Sequence, residues 1–180
     1  LAPAMTVAGI VAQCRAAVTW LWAHAGEHGY DADNITVSGH SAGGHLTAML
    51  LLTDWPGHAR GLPADLVKGG LAISGLYDLE PIRLSYLNQA LGLDAAGAAS
   101  PLHGLDSAAP PPLLVAVGGD ESEEFLRQQA VFIDAWQAQG FVGAALAMPG
   151  SNHFSIVDAL GRADTSLATG VRRLADGAAA

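Results

Sequence analysis

Apolar residues recur along the start of the chain at Val7, Ile10, Val11, Cys14, Val18 and Leu21. Three- and four-residue spacing of this kind makes one stripe on a helix. It predicts a helix over residues 6–28, with Gly29 as its stop. The period then changes. After a turn at 31–34, residues 35–38 form a short β-branched run that reads as a buried strand. An Ala- and Leu-rich helix is expected over 42–53 and a loop over 56–63. Further nearly continuous apolar runs at 69–75, 113–119 and 143–150 read as three more strands. Between them come an irregular stretch at 80–111, with a short helix near 82–90, and a helix over 122–139 that buries Phe125, Phe132, Ile133 and Trp136. A final helix is expected over 164–176. Short apolar strands alternating with helices imply an α/β fold, with a mostly parallel sheet covered by helices on both faces. The chain reads as a single domain, without repeats.

One joint in this pattern carries candidate chemistry. The stretch "ITVSGHSAGGHL" sets Ser41 between Gly39 and Gly43, where a strand gives way to a helix. In open parallel sheets, ligands collect at the carboxyl ends of strands. A G-x-S-x-G turn in that place is a nucleophile elbow, which holds a serine in a strained backbone conformation at the top of the sheet. Both glycines are expected to remove side chains that would collide as the chain reverses. The Ala42 N–H, at the start of the following helix, is the expected oxyanion donor.

A serine hydroxyl needs a base. The chain has seven histidines. His24 and His28 suit the negative end of the first helix, and His58 and His103 sit in polar loops. His40 and His45 flank the elbow, where adjacency in sequence does not aim a ring at the serine oxygen, so they read as wall or core. His153 follows the fourth strand and the turn "PGSN", and a loop there can reach over Ser41. Asn152 beside it reads as a turn or cap residue. The orienting acid should come from the end of the third strand, where "GGDESEEF" offers Asp120 and Glu121. The order serine, acid, histidine is that of the α/β-hydrolases.

Composition narrows the partners. Seventeen acidic against eight basic residues give a net charge of −9, which repels phosphate backbones and anionic lipid surfaces. The expected partner is a small-molecule substrate, not a nucleic acid or a membrane, and a homo-oligomer is compatible with the sequence. No apolar stretch approaches the roughly 18 residues that span a bilayer. Cys14 is the one cysteine and reads as a small core residue. With no basic leader at the start, it points to a cytoplasmic protein. Neither HExxH nor a close His/Cys cluster appears, so no metal and no cofactor are expected.

Taken together, "GHSAGGHL", "SGLYDLEPIRLSYLN", "SPL", "GGDESEEFLRQ" and "NHFSI" resemble, in order, the α/β-hydrolases of the kynurenine formamidase (arylformamidase) type. The elbow is general to the superfamily, whereas "GLYDLEPI" and "DESEEFLRQ" are more specific. The resemblance implies a serine hydrolase that cleaves a small acyl amide or ester through an acyl-enzyme, above all an aryl formamide such as N-formylkynurenine. A carboxylesterase of the lipase or feruloyl-esterase kind is the alternative, and an inactive fragment is another. It also favours Glu121 over Asp120 as the acid, because related enzymes carry that acid four residues before the phenylalanine of an "EF" pair. Tyr77, Leu79 and Tyr86, with Leu87, are expected to line an aromatic leaving-group site. The family's "HGG" segment, which completes the oxyanion hole, is not in this sequence. The chain is therefore expected to be the C-terminal portion of a longer hydrolase, with residues 35–38 as a bare apolar sheet edge.

Overall fold

A computed structural model of the chain describes residues 1–94, 100–105 and 110–177. Part of the expected irregular stretch 80–111 lies outside the described residues. Four strands, β1 (Ile35–His40), β2 (Val67–Ile73), β3 (Leu113–Gly118) and β4 (Gly143–Met148), form one parallel sheet in the order β1-β2-β3-β4. Helix α1 (Val7–His28) precedes β1, and α2 (Ala42–Leu51) follows it directly. The expected loop at 56–63 begins with a one-turn helix, α3 (Trp55–His58), capped by the Asp54 carboxylate, which accepts from the Gly57 N–H at 3.2 Å. Two further short helices, α4 (Glu80–Arg83) and α5 (Asn88–Leu91), stand where one was expected. The long helix α6 (Glu123–Ala138) links β3 to β4, and α7 (Ser166–Ala175) ends the fold.

Strand period sorts the core into two layers. On one face Ile35, Val67, Ala72, Leu113 and Val115 pack under Val18 of α1, Ala48 and Leu51 of α2, and Phe132, Ile133 and Trp136 of α6. On the other, Leu71, Ile73, Leu114 and Ala116 meet Ile156, Leu167 and Leu174. Along β3 and over Leu71–Ile73 of β2, alternate residues thus serve opposite layers, and both strands are nearly wholly buried, as a sheet covered on both faces requires.

One expectation about α1 needs adjustment. Its buried stripe runs through Val11, Val18 and Ala25, with Cys14 and Trp22 packed beside it. Leu21 instead stands 39% exposed, because an α-helix turns about 100° per residue and the stripe passes through Trp22. Strand β1 is an edge of the described sheet; Ile35 is buried, and the rest of the strand is less covered.

Candidate active site

The elbow forms where β1 runs into α2. Ser41 sits between them with φ 59° and ψ −118°, a region that L-residues avoid and that functional sites retain. Its N–H is tied to the Ile73 carbonyl of β2 at 2.8 Å. Its side chain makes no capping bond to α2, so the hydroxyl is available for other partners. The glycines around it do different jobs. A Cβ on Gly39 would collide with the backbone of Gly43, whereas a Cβ on Gly43 would meet nothing within 4 Å. The expectation that both glycines relieve a clash therefore holds for Gly39 alone. Gly44 has the second steric role, since its Cβ would lie 2.7 Å from the Gly75 Cα. That contact lets the start of α2 press against the exit of β2. Ala42 is the first residue of α2 and is exposed. In that position its N–H has no acceptor within the helix.

His153 arrives from the far side of the sheet. Gly118, at the end of β3, has no room for a Cβ because the Ser151 carbonyl occupies that space. This close approach lets the loop after β4 cross the end of β3. The Asp120 N–H holds the loop there through the Ser151 carbonyl at 3.0 Å. Asn152 acts as a cap: its Oδ1 accepts from the N–H groups of Phe154 and Ser155, each at 3.0 Å. The result is a chain of three side chains. His153 Nε2 lies 3.1 Å from Ser41 Oγ, and His153 Nδ1 lies 2.7 Å from Glu121 Oε2. The Glu121 side chain is wholly shielded from solvent and that of His153 is 23% exposed. Asp120, the other candidate acid, is exposed and contributes its backbone instead.

Rings hold the imidazole from several sides. The ring centroids of His40 and Phe125 each lie 4.5 Å from that of His153, and Phe154 meets it edge-on at 5.5 Å. Burial holds the His40 imidazole below its ordinary 6.5, and the neighbouring charge of His153 acts in the same direction. His45 is buried in α2, and His58 and His103 are exposed. His24 stacks on Trp20 along α1.

The residues expected to line a leaving-group site divide. Tyr77 and Leu79 are 1% and 7% exposed, so they are packing residues, and that expectation is corrected. The Tyr77 ring stacks on Phe132 at 4.1 Å, and burial pushes its hydroxyl well above the ordinary phenol range. The physical reason is a clamp made by Gln128, itself 1% exposed. Its Oε1 accepts from the N–H groups of Tyr77 and Asp78, both at 2.8 Å, and its Nε2 donates to the Asp78 carbonyl at 2.7 Å and to Glu124 Oε1 at 2.9 Å. The clamp draws the segment after β2 down onto α6, joining "GLYDLEP" to "DESEEFLRQ". Tyr86 and Leu87 remain outside, 81% and 43% exposed. Phe154, which is not among the residues expected at the site, stands 79% exposed beside His153. Its signal was an aromatic residue in an otherwise polar turn. Among the described residues, no group of three or more His, Cys, Asp or Glu could hold a metal ion, and no helix is long and apolar enough to cross a membrane.

The chain is similar to known proteins in sequence and in fold. The family model BD-FAE matches residues 1–57. A kynurenine formamidase of Danio rerio is 35% identical over 128 residues, covering 68% of this chain and 43% of the relative. The chain thus spans less than half the length of that relative. Among solved structures, a thermophilic esterase of Thermogutta terrifontis with propionate bound is 26% identical at a TM-score of 0.70, covering 96% of this chain and 64% of its own. An esterase of Pyrobaculum calidifontis shares the fold at a TM-score of 0.80 and 19% identity, covering 100% of this chain and 65% of its own.

Proposed function

Since the chain is an α/β-hydrolase of the kynurenine formamidase type, we propose that it carries the catalytic triad of a serine hydrolase acting on a small acyl amide or ester. The observation that supports this most directly is the unbroken contact from Ser41 Oγ through His153 to Glu121, at 3.1 and 2.7 Å. In this reading His153 Nε2 takes the hydroxyl proton as Ser41 attacks the carbonyl carbon. Glu121 holds Nδ1–H and stabilises the imidazolium that forms. The developing oxyanion meets the Ala42 N–H and the amino end of α2. His153 then returns the proton to the leaving amine or alcohol, and water clears the acyl group from Ser41 by the same route in reverse.

The favoured substrate class is an aryl formamide such as N-formylkynurenine, within tryptophan catabolism in the cytoplasm, with no cofactor. A formyl group needs almost no acyl pocket, and the exposed rings of Phe154 and Tyr86 offer flat apolar surface for an aromatic leaving group. Simple carboxylic esters are the second reading, favoured by the likeness to the propionate-bound esterase. Comparing turnover of N-formylkynurenine and p-nitrophenyl acetate separates the two. Ser41→Ala should lower turnover of either by at least about 10⁴-fold. Turnover retained in that variant removes Ser41 from the chemistry.

A further inference from the structure

Glu121 is a buried carboxylate, and the groups that hold it are not all accounted for by the triad. Its Oε2 faces His153. Its Oε1 accepts two other hydrogen bonds, from the Gly118 N–H at 2.8 Å and from the Ser74 hydroxyl at 2.6 Å. Two such donors fix the rotation of a shielded carboxylate. Ser74 is itself an unusual residue. It is 1% exposed, follows β2 directly, and has φ 48°; among the described residues it and Ser41 are the non-glycine residues with positive φ. Its N–H is anchored to the Ala116 carbonyl of β3 at 2.7 Å. Glycine would adopt this conformation without strain. A serine kept there, with its hydroxyl aimed at the acid, fits the association of backbone outliers with functional sites.

We propose that Ser74 is a positioning residue of the triad. Its hydroxyl pins the carboxylate rotation so that Oε2 meets His153 Nδ1, and it thereby sets the orientation of the base toward Ser41. Ser74 acts through Glu121 and does not face the substrate. This inference rests on the serine-hydrolase reading above.

The test uses Ser74→Gly, which suits the positive φ and removes the hydroxyl, and Ser74→Ala, which keeps a Cβ in the same space. The probe is a fluorophosphonate, whose labelling rate reports Ser41 nucleophilicity, together with steady-state turnover of p-nitrophenyl acetate. Loss of one hydrogen bond to a charged group predicts labelling and kcat lower by about 10- to 100-fold, with KM unchanged within about twofold. In a Glu121→Gln background, adding Ser74→Gly should change labelling by less than about threefold, because the two groups act as one unit. Labelling at the parental rate in both Ser74 variants overturns the inference while leaving the triad reading intact. So does an undiminished effect of Ser74→Gly in the Glu121→Gln background. If the unsubstituted protein fails to label at Ser41, the triad reading fails and the inference falls with it.

Discussion

At the scale of single residues, the elbow shows how steric demand separates neighbours that look alike in sequence. "GHSAGG" presents three glycines, yet a Cβ on Gly39 meets the Gly43 backbone while a Cβ on Gly43 meets open space. Gly39→Ala should therefore destabilise the fold by about 3 kcal/mol or more, because backbone cannot move aside cheaply. Gly43→Ala, inside α2, should be neutral or stabilising by about 0.5–1 kcal/mol. Urea midpoints of the two variants check this, and equal losses would contradict it. His40 carries a pH dependence. Its folded-state pKa is lowered, by burial first and by His153 second, so the unfolded chain takes up the proton more readily. The stability it permits is fully present above the ordinary 6.5 and is lost as pH falls below it toward the folded value. Replacing it by phenylalanine keeps a ring beside His153 and should flatten the fall in urea midpoint between pH 8 and about pH 5. An unchanged pH dependence in His40→Phe would count against this assignment. Ser41, His153 and Glu121 were legible as residues because their order and spacing follow the strand ends. The choice of Glu121 over Asp120 needed the family pattern, since adjacent carboxylates in a turn differ only in where the backbone aims them.

Between elements, contacts that no local pattern encodes decide the outcome. Tyr77 and Leu79 follow β2 at the site edge of the sheet, which made them candidates to line a pocket. The clamp from Gln128 lies 51 residues further along and carries them into the core. A glutamine on a helix announces nothing of this, because exposed and buried glutamines look the same in sequence. Gln128→Leu strands the N–H groups of Tyr77 and Asp78, which Gln128 Oε1 holds at 2.8 Å. It should cost about 3 kcal/mol by urea unfolding, and a loss under about 0.5 kcal/mol would contradict the clamp. Element types were more legible. The short apolar runs became β1 to β4, the three- and four-residue stripe became α1, the Ala- and Leu-rich run became α2, and the one-faced aromatic pattern became α6. The one-turn helices α3, α4 and α5 were blurred because four residues hold too little periodicity to read.

On the scale of the whole molecule, the sheet arranges burial unevenly. Strands β2 and β3 have a neighbour on each side and are covered on both faces, whereas β1 and β4 are edges and partly exposed. Amide hydrogen exchange should therefore be slowest across Leu113–Gly118 and faster at alternate amides of Ile35–His40. Uniform protection of both strands would show that β1 has a partner beyond the described sheet. The same asymmetry sets the site, because Ser41, Ser74, Glu121 and His153 all stand at or just beyond the carboxyl ends of β1 to β4, where a parallel sheet gathers its loops. The central claim is that this gathering makes Ser41 a nucleophile. Its most direct test is to treat the protein with a fluorophosphonate and locate the adduct by peptide mass spectrometry. One adduct is expected, on Ser41, formed far more slowly in His153→Ala. An adduct on another residue, or Ser41 labelling that is indifferent to loss of the imidazole, would contradict it.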